Sequence, residues 1–470
     1  MRTIAAVMLL VLSVTAAGAS DADQVKSVIA AVRAGRLDDA DASAKPIKDP
    51  TYWKLAQWLI LRADTVAPRP ERFRAFLIGS PDWPHRRLFE YRASGTRPPA
   101  PVIDAWVARR LRVRELLDAR DYRGAYQLTV DTPAPRAENH RIDWDFTAGW
   151  IALRYLGSPG LAEAHFDRMA RDTVNPHALA RAGYWLGRTA DALLNFDMAR
   201  KYREDAAAYP STYYGQLART YIGLPMTVPP LPRPDKESSI GMREVLQGVG
   251  LLYELNEPEV VSMICAELGE SSSDAAGLLA LSKLAIENRD GRSLLLLGKG
   301  AYSRGLSFDR YAFPQFGLPQ YTPIAKPIPP ELTYAIARTE SHFSQKVLST
   351  AKAVGLMQVT AAAGEDTARR ARVIYDWNRL VNDSQYNMAM GAAELSFLLT
   401  EYKGDLLLTA AGYNAGRTRV RQWIAAYGDP RDPKVDRTDW VERIPISETR
   451  NYLQRITESV AVYKYLMEGN

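Results

Sequence analysis

From residue 23 to residue 226 the sequence reads as one amphipathic helix after another, with short breaks and no convincing strand-like alternation of apolar and polar residues. Asp23 to Arg36, Tyr52 to Asp64, Val102 to Ala119 and Trp144 to Tyr155 each carry an apolar stripe at helical spacing. Leu161-Ala162-Glu163-Ala164 and its sequel are weakly similar to Phe196-Asp197-Met198-Ala199 and its sequel, at an offset of about 35 residues. Repeats of that length are helix hairpins that bury their apolar faces on one another and stack into a curved solenoid. The tryptophans Trp53, Trp58, Trp106, Trp144, Trp150 and Trp185 are then expected between repeats, as core rather than as a sugar-stacking surface.

Proline ends this region. Gly223-Leu224-Pro225 through Pro234 cannot continue a helix, and residues 240–305 then resume short amphipathic helices. A second proline-containing stretch, Pro314 to Pro330, leads into the last part of the chain. At the other end, residues 1–19 have the plan of a signal peptide: Arg2, an apolar core from Ile4 to Val14, and Ala17-Gly18-Ala19 as a cleavage site. The expected organisation is a signal peptide (1–19), an α-superhelical repeat domain (20–226), a helical linker domain (227–306) and a mainly α domain (307–470). The leader predicts export to the periplasm. Its apolar run is too short to span a bilayer, and no cysteine follows the cleavage site to accept lipid, so no membrane anchor is expected.

Composition narrows the chemistry. Cys265 is the only cysteine among 470 residues, which removes any intramolecular disulfide and any cysteine-rich metal site. The five histidines show no HExxH pattern or close pairing, so neither metal nor cofactor is expected. A formal net charge of +6 suits an acidic partner, nucleic acid or cell-envelope glycan alike.

The stretch from Glu340 to Gln358 carries the chemical signal. Pro329-Pro330 can open a helix near Glu331, within which Leu332, Ala335, Ile336 and Thr339 share one stripe and Glu340 lies one turn beyond Ile336. A carboxyl group on a buried face near a helix C-terminus is pushed toward its protonated form, as a general acid requires. Ser349, Gly355-Leu356-Met357-Gln358 and Ala410-Ala411-Gly412-Tyr413-Asn414-Ala415-Gly416 add polar and aromatic groups, with Gly416 suited to a helix C-cap. Asp383 to Tyr402 predicts a central buried helix. The final helix carries Tyr452, Ile456, Val460, Tyr463 and Met467 on one stripe, with Ser447 as N-cap and Glu448 in the first turn. There the dipole favours an ionised carboxylate, fit to bind a cationic or hydroxyl group.

In this order and spacing the motifs closely resemble the catalytic domain of soluble lytic transglycosylases, lysozyme-like enzymes that cleave peptidoglycan. Glu340-Ser341 with Phe343 resembles the family's catalytic ES motif. Ser349 with Gly355-Leu356-Met357-Gln358 resembles its serine and GLMQ motif, and Tyr413-Asn414-Ala415-Gly416 its YNAG motif. Glu442-Arg443-Ile444-Pro445 and Glu448-Thr449-Arg450-Asn451-Tyr452 are similar to its IP..ETR.Y segment. Gly412 stands where alanine is usual, and Thr360 where methionine is frequent. Tyr184-Trp185-Leu186-Gly187-Arg188 and Pro210-Ser211-Thr212-Tyr213-Tyr214-Gly215 are more loosely similar to the helical superstructure that precedes that domain.

The resemblance implies an all-α protein, a carbon–oxygen lyase, cleaving the bond between N-acetylmuramic acid and N-acetylglucosamine with Glu340 as its sole general acid and base and leaving 1,6-anhydro ends. It implies that Gln358 and Tyr413 position the sugar, that Ser349 and Asn414 contact N-acetyl groups or support the cleft, and that Met357 packs beneath it. Two other readings stay open. A hydrolytic muramidase would need a second carboxylate, for which Glu365 and Asp366 are nearest in sequence; a non-catalytic scaffold would bind an acidic polymer. Export argues against nucleic acid as that polymer.

Overall fold

The computed structural model describes residues 19–64, 69–95, 104–171 and 173–469. Of the expected leader, only Ala19 falls among them; Val102, the start of one expected helix, does not. In chain order the α-helices are α1 (Asp21–Arg33), α2 (Leu37–Ala44), α3 (Pro50–Ala63), α4 (Pro70–Gly79), α5 (Arg86–Ser94) and α6 (Ala105–Asp118). Next come α7 (Tyr122–Val130), α8 (Glu138–Arg154), α9 (Pro159–Arg171), α10 (Pro176–Ala192), α11 (Phe196–Ala207) and α12 (Tyr213–Tyr221). Beyond the proline-rich stretch lie α13 (Ile240–Glu254), α14 (Pro258–Ser271), α15 (Ala275–Glu287) and α16 (Gly291–Ser303). The C-terminal part holds α17 (Pro330–Ser341), α18 (Ala361–Ala371), α19 (Trp377–Asn382) and α20 (Ser384–Glu401). It ends with α21 (Leu406–Ala415), α22 (Arg417–Tyr427), α23 (Arg437–Arg443) and α24 (Ser447–Met467). The protein is all-α; the described residues form no strand, only two isolated bridges, Leu348 to Val354 and Val354 to Val359.

Local chemistry sets many of these boundaries. Asp49 caps α3 by accepting from the amides of Thr51 and Tyr52, with Pro50 at the first helical position. Asn175 and Pro176 repeat the device for α10, and Asp383 and Asp405 cap α20 and α21. Gly416 ends α21 at φ 85°, the C-cap expected of it. Ser447 is not the cap of α24: Ile446, with φ −84° and ψ 107°, occupies that position, and Ser447 is already helical. No side chain caps that helix. Its approach is fixed instead by Arg450, whose guanidinium donates back to the carbonyls of Ile444 and Pro445 at 2.6 and 3.3 Å.

The chain forms two compact units. The first joins residues up to Pro98 with Ser239–Glu257, so that α13 packs on α3. Lys54 pairs with Glu244 at 2.6 Å, Thr51 bonds Gln247, and Arg33 meets Glu257. Trp58, Phe73 and Phe89 are fully buried in this unit's core.

The second unit joins Pro99–Ser238 with Pro258–Asn470. Successive helices pack on their neighbours: α8 on α9, α9 on α10, α10 on α11, α11 on α12. Trp106, Trp150 and Trp185 are buried among them with Phe146 and Phe166, as the repeat reading expects. Trp144 is half-buried, and Trp53, in the first unit, is 44% exposed. The later part of this unit has its own core around α20, which contributes Met388, Met390, Leu395 and Leu398. Against it lies α17, itself packed on α24. Among the described residues no helix is long and apolar enough to cross a membrane.

The α10–α11 contact is close enough to test. A Cβ at Gly183 would stand 2.9 Å from the carbonyl oxygen of Tyr202 and 3.1 Å from the Ala206 methyl. Because a backbone oxygen cannot swing aside as a side chain can, Gly183→Ala should destabilise the protein by about 1–3 kcal/mol despite better helix propensity. Thermal unfolding of the variant checks this.

Candidate active site

The site is built from the end of α17 outward. The helix stops because His342 and Phe343 both take left-handed conformations, at φ 49° and 61°. The exposed carbonyls of Ser341 and His342 are satisfied from outside the helix, by Arg292 of α16 at 3.1 and 2.9 Å. Glu340 is thus the penultimate residue of a helix whose end is held by a fixed cation. It is half-buried at the surface of the C-terminal core. Burial pushes its carboxyl up to about 7, and the charge of Glu448 adds to the rise. Tyr452 opposes: its buried hydroxyl, which makes no hydrogen bond within the protein, faces the Glu340 carboxyl and favours the ionised form.

Ser341 ties this helix end to the Gly355–Gln358 turn through a 2.8 Å bond from Oγ to the Leu356 carbonyl. Gly355 and Gln358 both have positive φ, 76° and 48°. The turn is gripped from behind by Asn387 of α20, which is fully buried; its Oδ1 accepts from the Met357 amide at 2.9 Å. Its Nδ2 donates to the carbonyls of Val354 and Leu380.

The expected site residues divide on these contacts. Met357 is fully buried, and its stem would touch a Cβ placed on Gly391 at 2.5 Å, so it lies in the core beneath the Gly355–Gln358 turn and not at the surface. Gln358 closes its own turn, with Nε2 donating to Val347 and Gly355 carbonyls at 3.0 and 2.9 Å. Tyr413 donates to the Met357 carbonyl at 2.7 Å; burial, then the charge of Glu340, holds its hydroxyl well above the usual range. Asn414 accepts from Thr449 Oγ1 at 2.7 Å, joining α21 to the first turn of α24. Glu448, in that same turn, is exposed. Glu340, Tyr413, Tyr452 and Glu448 therefore share one electrostatic neighbourhood. Ser349 is not tied to it: its hydroxyl and amide close a short loop on Ala353.

The sequence reading passed over Tyr452 as a site residue, although it stands one turn after Glu448 in the motif already singled out. It also passed over Asn387, whose signal is a lone amide inside the otherwise apolar run Tyr386 to Ala393. Both departures from the family pattern have local causes. A Cβ on Gly412 would lie 2.8 Å from Leu398 Cδ2 and 3.0 Å from Tyr402 Cε2, and Thr360 serves as the N-cap of α18. Of the carboxylates weighed for hydrolysis, Glu365 is exposed and Asp366 pairs with Arg369 and Arg370. No cluster of metal-ligating side chains occurs among the described residues.

The turn's geometry predicts a cost for altering it. Gly355→Ala would force an alanine to positive φ and place its Cβ 2.2 Å from Asn387 Nδ2, an atom fixed by two bonds. A loss of at least about 2 kcal/mol is expected, measured as a lowered midpoint in urea unfolding.

Residues 321–435 match the model of the Transglycosylase SLT domain. Over 143 residues the chain is 32% identical to the soluble lytic murein transglycosylase of Escherichia coli K12. It is 30% identical, over the same length, to that of Salmonella typhimurium. Each match covers 30% of this chain and 22% of the relative, about a fifth of the relatives' own length. Among solved structures, the 70-kDa soluble lytic transglycosylase of Escherichia coli aligns with 95% of this chain and 97% of its own, at TM-score 0.52 and 16% identity. An inactive glutamate-to-glutamine mutant of the lytic transglycosylase Slt from Pseudomonas aeruginosa aligns over 96% and 73%, at TM-score 0.57 and 20% identity. At such identities the structural likeness is one of fold. Residues 321–435 thus match the Transglycosylase SLT domain, within an all-helical chain whose fold is similar to that of the soluble lytic transglycosylases.

Proposed function

We propose that this protein is a lytic transglycosylase of peptidoglycan, acting in the periplasm after export by residues 1–19. The observation that carries the reading is the half-buried Glu340 at the end of α17, its carboxyl raised by burial to about 7, with Tyr413 and Tyr452 beside it. A carboxyl titrating near 7 is poised to give up a proton and take one back at neutral pH. On this reading Glu340 protonates the glycosidic oxygen between N-acetylmuramic acid and N-acetylglucosamine, and the bond to C1 breaks. The resulting carboxylate then removes the proton of the muramoyl C6 hydroxyl as that oxygen closes on C1. Glu340 ends protonated, no water is consumed, and the product carries a 1,6-anhydro ring.

The other residues act around that step. Tyr413 and Gln358 shape the wall that positions the sugar, and Met357 supports them from beneath. Asn414 and Ser349 belong to the binding surface, and Glu448 accepts from a hydroxyl or cationic group of the strand. Residues 307–470 perform the cleavage, 227–306 link, and 20–226 guide the glycan. Hydrolysis by a paired carboxylate is the weaker reading: Glu448 is the one carboxylate whose charge Glu340 feels, and it is exposed.

Three measurements test this. Mass spectrometry of digests of purified sacculi should show anhydro ends, one water lighter than reducing ends; reducing ends would establish a hydrolase. Glu340→Gln should lower the rate by about 10,000-fold or more, since it removes the only acid and base together. The rate of wild type should fall as pH rises through about 7, where Glu340 loses its proton.

Stability should move in a linked way. With a folded value near 7 against 4.5 in the unfolded chain, the native state holds the proton more tightly, so wild type loses stability as pH rises across that window. Glu340→Gln lacks this penalty and should be more stable than wild type by about 1–3 kcal/mol at pH 8, with the difference vanishing below the lower value. Denaturant unfolding at the two pH extremes measures it.

A further inference from the structure

α24 presents two faces to two different parts of the second unit. Glu448 and Tyr452, one turn apart, look toward Glu340. Arg450 and Gln454 each follow them by two residues, which turns them about 200° around the helix axis. That opposite face is clamped. Gln454 Nε2 donates at 2.8 Å to Oε1 of Glu442, a carboxylate with no exposed surface, and Arg450 Nε stands 3.9 Å from its Oε2.

The rest of the clamp comes from the repeat helices. Arg181 of α10 donates to Glu442 Oε2 at 2.7 Å, and the Tyr214 hydroxyl of α12 donates to Oε1. Arg114 of α6 donates to the Glu442 backbone carbonyl at 2.5 Å. One turn beyond Gln454, buried Glu458 accepts from the Tyr213 amide at 2.7 Å and meets His177 at 3.2 Å. Residues separated by more than two hundred positions in sequence thus fix the rotation and the height of α24. A buried ion pair such as Arg181–Glu442 does little for net stability that a well-packed apolar pair would not do as well. What it supplies, through directed bonds, is one defined placement.

We propose that Arg181, Tyr214 and Glu442 are positioning residues for the acid: from the back of α24 they hold Tyr452 and Glu448 against Glu340. The groups that face Glu340 are Tyr452 and Glu448 from α24 and Tyr413 from α21, so two of the three depend on this clamp. The inference rests on the reading of Glu340 as the acid, but its first readout does not require catalysis. All three residues lie outside 321–435, so the matched domain segment does not contain the device.

The experiment uses the full chain with Tyr214→Phe and, separately, with Arg181→Met paired to Glu442→Gln, which removes both charges together. Circular dichroism and thermal unfolding establish that each folds; if the paired variant does not, Tyr214→Phe decides alone. The carboxyl carbon of Glu340, assigned by its loss in Glu340→Gln, is titrated by NMR. Loosened packing admits water, and the midpoint of the paired variant should fall by about one unit, with a smaller fall for Tyr214→Phe. On soluble glycan strands kcat should drop about tenfold in the paired variant, with a smaller rise in KM that reports the displacement of Glu448, because Gln358 and Tyr413 lie on elements the clamp does not touch. Folded variants with an unmoved midpoint and unmoved kcat would overturn the proposal and leave the clamp as packing. If wild type cleaves no glycan, the proposed function fails, and the midpoint alone still decides whether the clamp reaches Glu340.

Discussion

Keeping a carboxyl group out of water at the end of a helix is the constraint on which the second unit turns. A charge there is disfavoured by lost hydration and by the carbonyl end of α17, and burial raises the Glu340 carboxyl to about 7. For that to work the surroundings have to stay dry and still. Tyr413 and Tyr452 bring rings to the carboxyl's neighbourhood, while Arg292 takes up the carbonyls that α17 leaves open. Ser341 bonds the Gly355–Gln358 turn to the same helix end. The carboxyl is therefore held by backbone geometry in which each unusual torsion has a bonded partner.

The site also shows how a polar residue can organise an apolar core. Asn387 sits among methionines and alanines on α20, and its three bonds go to main-chain groups of the turn and of α19. Backbone amides and carbonyls drawn into a core must be paired, and one carboxamide pairs three of them. Gly391, next along the helix, leaves room for Met357 to reach in beneath the turn. The motif Gly355-Leu356-Met357-Gln358 is for this reason mostly architecture: its glycine turns, its methionine anchors, and its glutamine seals.

Much of this was legible in the sequence because helices announce themselves. A stripe at 3.6-residue spacing gave the repeat helices, α17, α20 and α24 within a few residues, and Pro330 and Gly416 marked their ends. The elevation of Glu340 also followed from position and pattern. What could not be read were partners distant in the chain. Nothing in the local pattern of Glu442 says that it meets Arg181, and Tyr452 looked like one more core aromatic. Ser447 has the side chain of a cap, but the helix starts one residue earlier, at Ser447 itself, with Ile446 in the capping position. Likewise α13 reads as the first helix of a linker, and only packing reveals that it lies on α3.

That return of α13 bears on how the chain is made. The first unit is interrupted in sequence: its opening helices are separated from Ser239–Glu257 by all of α6 to α12 and the proline-rich stretch. A chain emerging N-terminus first cannot finish this unit until residue 257 is free, when more than half its length already exists. Until then the face of α3 that receives α13 is open, with Leu55 and Thr51 uncovered and Lys54 waiting for Glu244. The same interruption means that one cut among the prolines would release no unit intact, since each is stitched from segments on both sides of it.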